Sequence, residues 1–323
     1  MRQRILCKLM VPMAAIVLVP LFLASAEARQ DAAQKEKTAA TKTNDDAGAK
    51  SADSSLYAGM EACKTCHEDI SKSFEKSPHW KTTLNKRGGP AKQGCEACHG
   101  PAADHISDPG DSSKIFSFKA ASAKKVNERC LECHASGQEH MNFSRSAHSG
   151  QNVSCIDCHS PHHAKEERFL LVKSQPQLCY TCHLNIKPLF NMAFHHRVNE
   201  RLVKCVDCHN PHGGFLGKQL RSAAARDAVC FTCHADKQGP FVFEHQPVKT
   251  EGCVACHVPH GSPNPHMMKQ SNLNLLCLQC HTASSFSGAP GTPQFHNQAA
   301  QFQACTICHA AIHGSNFDRH LMK

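Results

Sequence analysis

The sequence predicts a chain of short α-helices and loops with little or no β-structure, built as five repeats of a two-motif unit in an elongated rod. Three observations predict it. The 323 residues include 21 Cys and 25 His, yet only 6% of side chains are aromatic. The pattern C-x-x-C-H occurs ten times and accounts for 20 of the cysteines. Motif starts lie 32, 35, 25, 24, 26, 25, 23, 24 and 28 residues apart, and about 27 residues per motif is too little chain to bury a conventional core. Something other than side chains must fill the interior.

The N-terminus comes first. Arg2, Arg4 and Lys8 precede an apolar run from Leu9 to Leu23, with small residues at Ala24, Ala26 and Ala28, which reads as a secretory signal peptide over residues 1–28. The run carries Pro12 and Pro20 and, at about 15 residues, falls short of the roughly 20 a spanning helix needs. Cys7 precedes this run and leaves with the signal. Residues 29–56 have no apolar periodicity and read as a disordered linker, so the ordered domain is expected over 57–323. No other segment could span a bilayer, and the mean hydropathy of −0.42 fits an exported soluble chain. Export argues against a nucleic-acid role for the formal charge of +9. Cleavage after Ala28 would leave +7.

The motifs are Cys63-Cys66-His67, Cys95-Cys98-His99, Cys130-Cys133-His134, Cys155-Cys158-His159, Cys179-Cys182-His183, Cys205-Cys208-His209, Cys230-Cys233-His234, Cys253-Cys256-His257, Cys277-Cys280-His281 and Cys305-Cys308-His309. C-x-x-C-H is the attachment sequence of c-type haem. Two thiols on one helical turn add to the vinyl groups of a single porphyrin, and the adjacent imidazole ligates iron from the same side. A zinc site needs a second C-x-x-C or further ligands, with no His fixed after the second Cys. A redox dithiol needs no His there either. Ten covalent haems then form the core, and the haem-free chain is expected to be largely unfolded.

Fifteen histidines lie outside the motifs, and ten six-coordinate irons need ten distal ligands. The even motifs are each followed within a few residues by a His: His105, His162, His212, His260 and His313. The odd motifs are each followed at longer range by His79, His148, His195, His245 and His296. This alternation is the internal repeat. Spacing does not separate His195 from His196, or His162 from His163; the assignment takes His195 and His162. In CVDCHNPHGG, His212 lies one helical turn beyond His209 on the same side of the porphyrin, so it cannot reach the far face of its own haem. It is expected to serve a neighbouring iron, the alternative being a turn residue without metal in N-P-H-G-G. His105, beside a D-P-G turn, is the weakest member. His140, His163, His196, His266 and His320 are left over.

Other residues have structural roles. Ser122, Ser174, Ser222 and Ser271 stand where helix N-caps are expected, with Pro176 early in one of these helices. Trp80 is expected to pack on a porphyrin, and the Met residues to fill gaps.

Two imidazoles on one iron leave no position open for substrate, and without an axial thioether the potential tends to be low. No catalytic residue is expected, and the role is electron transfer. The chain from Tyr57, with ten C-x-x-C-H motifs, alternating N-P-H-G tails and the segment HHRVNERLVKCVDCHNPHG, resembles the periplasmic decahaem cytochromes of the Mtr and DmsE type. These are similar to a smaller pentahaem periplasmic donor, duplicated. The resemblance implies a mostly coil haem chain inserted in an outer-membrane β-barrel porin. Its partners would be a periplasmic or inner-membrane cytochrome donor and an outer-surface multihaem cytochrome or mineral. The first module departs from the pattern, with longer spacing and no P-H-G form at His105. Two other classes stay open. A freely diffusing periplasmic shuttle fits the same motifs, and a multihaem oxyanion reductase would need an open iron site, often marked by C-x-x-C-K, which is absent.

Overall fold

A computed structural model describes residues 53–221, 227–281 and 304–322; the fold belongs to the unit Ser55–Lys323. Short helices joined by loops make up this unit, and pairing among the described residues is limited to isolated β-bridges. The longest helix, Ala123–His134, has 12 residues. No described helix is long and apolar enough to cross a membrane.

Each attachment motif forms the expected single turn. The proximal His N–H donates to the carbonyl of the first Cys at 2.9–3.0 Å in nine motifs, and the third motif lies inside Ala123–His134. Two of the even motifs are fixed by an acidic residue within the motif. Asp157 accepts the Ser154 N–H at 2.6 Å and Asp207 the Lys204 N–H at 2.7 Å, closing the first helical turn as a capping residue does. In the second motif Glu96 is 4% exposed and accepts the N–H groups of Ala58, Gly59 and Ala102, which ties the start of the domain to that motif.

Helix starts differ in part from expectation. Ser122 caps Ala123–His134 through the Lys125 N–H. Ser271 does not cap the helix Leu273–Cys277; its neighbour Asn272 does, accepting the Asn274 N–H at 3.0 Å. Ser174 contributes only its carbonyl, to the Leu178 N–H, and Pro176 immediately precedes the helix Gln177–Tyr180. Ser222 lies outside the described residues.

Odd and even motifs dock in pairs. Asn127, three residues before Cys130, accepts the Cys155 N–H at 2.8 Å. Asp227 holds the same register before Cys230 and accepts the Cys253 N–H at 2.9 Å, and Asn274 before Cys277 accepts the Cys305 N–H at 3.0 Å. These bonds define two-motif modules, matching the repeat read from the histidines. Buried hydrophobic side chains are few: Tyr180, Phe190 and Val198 form a small cluster, and Phe74, Val126, Phe143 and Met268 are scattered elsewhere. Trp80 packs edge-on against Phe74 at 6.0 Å beneath the Lys64 ammonium.

Candidate haem-binding sites

The first cysteines of the two motifs in a module touch. Hydrogen bonds link the thiols of Cys63 and Cys95, Cys130 and Cys155, Cys179 and Cys205, Cys230 and Cys253, and Cys277 and Cys305. In the uncoupled polypeptide the bond from Cys63 draws the Cys95 thiol down to about 7, and that from Cys179 does the same to Cys205. At the four junctions between modules, the second cysteine of the even motif lies within electrostatic reach of the next odd motif: Cys98 and Cys133, Cys158 and Cys182, Cys208 and Cys233, Cys256 and Cys280. The attachment points therefore follow one another in sequence order.

Eight proximal imidazoles each face a second imidazole. Ring centroids are 6.2 Å apart for His99–His162, 5.9 Å for His134–His79, 5.9 Å for His159–His212 and 6.1 Å for His183–His148. They are 6.1 Å apart for His209–His260, 6.2 Å for His234–His196, 6.3 Å for His257–His313 and 6.2 Å for His281–His245. Two imidazoles on opposite sides of one metal, each nitrogen about 2 Å from it, put the centroids roughly 6.3 Å apart. Aromatic pairs of any kind fall near this distance; what sets these apart is the register. The His after an even motif always faces the proximal His two motifs earlier, and the His after an odd motif always faces the proximal His two motifs later. His212 thus stands opposite His159, a different motif from its own, as the one-turn argument requires.

The imidazoles are also oriented. In all five even motifs the proximal Nδ1–H donates to a backbone carbonyl: His99 to Phe116, His159 to Phe169, His209 to Lys218, His257 to His266 and His309 to His320, at 2.6–3.0 Å. The distal His148 and His196 donate through Nδ1 to the carbonyls of Pro211 and Pro259 at 2.8 and 2.7 Å, and Ile312 serves His245 in the same way. Such bonds fix the tautomer and leave Nε2 to bind metal. In the tails N-P-H and V-P-H, one residue's carbonyl orients the ligand of one site while the next residue's ring faces another site. Burial lowers His162 and His212 to about 4 and lowers His79, His99, His245, His260 and His313 as well. The neutral imidazole this favours is the form that ligates metal. The tail glycine permits the close approach: Gly261 has φ +145°, and a Cβ there would strike the Leu189 carbonyl.

At one near tie the geometry distinguishes the two histidines. His195 bonds the Met192 carbonyl through Nδ1 at 2.6 Å and Glu200 through Nε2 at 3.1 Å, whereas the adjacent His196 faces His234. The signal lay in Phe-x-His. Phe194 and Phe243 each exchange two backbone hydrogen bonds with a tail serine, Ser262 and Ser315, so Phe194-His195-His196 aligns with Phe243-Glu244-His245. In the first module, His105 Nδ1 bonds the Asp111 carbonyl at 3.1 Å, and His67 and His105 are not among the opposed pairs. His296 lies outside the described residues. Of the other spare histidines, His266 and His320 lend their carbonyls to proximal imidazoles, His320 also contacting Asp318 through its backbone N–H and its ring, His163 donates its backbone N–H to Ser160, and His140 packs between His134 and His212.

Attachment turns in file, with oriented and opposed imidazoles, define a multihaem c-type cytochrome. Apolar side chains exposed beside the motifs, Leu184 after His183 and Ile307 inside the last motif, fit a porphyrin as their cover. The doubled C-x-x-C-H family matches residues 148–187, 195–239 and 245–286, and the cytochrome c554 and c-prime family matches 103–160. The chain is 31% identical over 270 residues to the multihaem cytochrome MtrA of Shewanella baltica (strain OS185), covering 80% of this chain and 79% of that one. The chain belongs to the Mtr-type multihaem cytochromes.

Proposed function

We propose that the protein carries ten covalently bound haems, each iron held between two histidines, and conducts electrons across an outer membrane inside a β-barrel porin. Such haems supply reversible one-electron chemistry with no open coordination position. The polypeptide holds the attachment turns in sequence order, orients eight of the imidazoles through backbone carbonyls, and shares the tails at His212, His260 and His313 between two sites. His105 and His296 are left to supply the distal ligands of the His67 and His309 irons, completing ten. The observation that carries the reading is the two-motif register of the eight opposed imidazole pairs, which interlocks successive modules into a single chain of sites.

Placement in a porin rests on the family likeness and on physics. Loop-rich backbone cannot face hydrocarbon with its polar groups unsatisfied, so a closed barrel is the permitted sheath. Each ferric haem with two ionised propionates adds about −1, taking the +7 expected for the exported chain to roughly −3 and suiting a polar lumen. Electrons would pass between a periplasmic or inner-membrane cytochrome and an outer-surface multihaem cytochrome or mineral, in extracellular respiration or metal oxidation. The test is a liposome loaded with an electron acceptor and reduced from outside. Electrons are expected to reach the interior only when cytochrome and porin are reconstituted together. Full function in cells lacking every candidate porin would instead make the protein a freely diffusing periplasmic shuttle.

A further inference from the structure

Asp227 departs from the repeat in charge while keeping its geometry. Its counterparts at the same register are amides: Asn127 Oδ1 accepts the Cys155 N–H at 2.8 Å and Asn274 Oδ1 accepts the Cys305 N–H at 3.0 Å. Asp227 Oδ2 makes the same bond to the Cys253 N–H at 2.9 Å. An amide oxygen is thus sufficient to dock the two motifs, and the carboxylate is not needed for it. Asn127 uses its remaining group as a donor, to the Val153 carbonyl at 3.1 Å. The corresponding Oδ1 of Asp227 is buried with no hydrogen-bond partner among the described residues, and the side chain is 8% exposed.

Among the described residues no cation compensates that oxygen, and the Cys253 thiol that reaches the carboxylate loses its proton when the thioether forms. Asp227 lines a cavity of about 510 Å³ together with His313, the imidazole facing His257. The two lysines on the cavity wall are committed elsewhere, Lys237 to Asp236 at 2.9 Å and Lys249 to Glu244 at 2.7 Å. Gly252 keeps the contact close: its φ is +82°, and a Cβ there would collide with the Asp227 carboxylate. Asp227 also groups with the Cys230 and Cys253 thiols in a geometry that could hold a metal ion, but thioether formation at both motifs consumes those thiols. By contrast, buried Glu96 has three N–H donors to disperse its charge.

We propose that Asp227 sets the redox level of the fourth module: its carboxylate favours the more positively charged ferric state and lowers the reduction potentials of the haems attached at Cys230–Cys233 and Cys253–Cys256. The chain then carries an energetic step between the third and fifth modules. This rests on the reading that both motifs carry haem, which the haem content of each variant checks separately.

The test is a spectroelectrochemical titration of full-length holoprotein, wild type against Asp227→Asn, with haem content and thermal midpoint measured on both. Asn preserves the bond to Cys253 and gains the donor that Asn127 already uses. About a fifth of the absorbance change is expected to move to higher potential, by about tenfold in the reduction equilibrium, or about 59 mV for a one-electron couple. The reciprocal Asn274→Asp should move a similar fraction downward. Superimposable titrations at unchanged haem content overturn the proposal, whether or not the thermal midpoint falls. Loss of haem from Cys230 or Cys253 in the wild type would overturn the ten-haem reading on which it rests.

Discussion

His196 and His234 face each other at 6.2 Å between ring centroids, while His195, one residue away, is held by Met192 and Glu200. Replacing His196 with Ala should therefore leave one iron in about ten five-coordinate and high-spin, visible as a high-spin fraction in the ferric absorption spectrum. His195→Ala should leave every iron low-spin. The opposite result would reverse the assignment.

His212→Ala tests the linkage between modules. The vacant iron is expected at the haem attached through Cys155 and Cys158, because His212 faces His159, with the haem at Cys205 and Cys208 unaffected. A crystal structure of the variant, or NMR assignment of the altered haem methyls, locates it. A vacancy at the His209 iron would break the two-motif register.

Imidazole planes predict two spectroscopic classes. The rings are 79°, 56° and 64° apart at His134–His79, His183–His148 and His234–His196, against 35°, 24°, 38° and 10° at the four even sites and 15° at His281–His245. Steeply crossed planes bring the two iron dπ orbitals close in energy, and near-parallel planes split them. Low-temperature electron paramagnetic resonance of the ferric protein should show both a large-anisotropy and a rhombic low-spin population. A spectrum of rhombic signals alone would contradict the crossed geometry.

Asn127→Ala probes the docking of motif on motif. It leaves the half-buried Cys155 N–H without its acceptor, a loss of about 1 kcal/mol. Thermal denaturation should come earlier while haem content stays at the wild-type level.

Much of this was legible because C-x-x-C-H is a covalent requirement that sequence states outright. The alternating histidines likewise showed the two-motif repeat. Which imidazole meets which iron was not legible, since that depends on where loops return: the partner of His159 sits in the tail two motifs later, brought there by contacts between distant segments. The preference for His196 over His195 was not legible for a local reason. Only the backbone pairing of Phe194 with Ser262 aligns His196, two residues after the phenylalanine, with His245. Ser271 lost its expected cap to Asn272, whose side chain does the same work one residue later. The docking bonds of Asn127, Asp227 and Asn274 were readable as a shared position three residues before each first cysteine, but nothing marked that position as an acceptor until the even motif was seen against it.

Protein imidazoles on both faces of every iron would leave the chain to move electrons and bind no substrate at the metal. Carbon monoxide titration of the fully reduced, ten-haem protein tests it most directly. The Soret band should change little, with binding well below one equivalent per chain. Binding of one equivalent or more would show an open iron and favour a multihaem reductase.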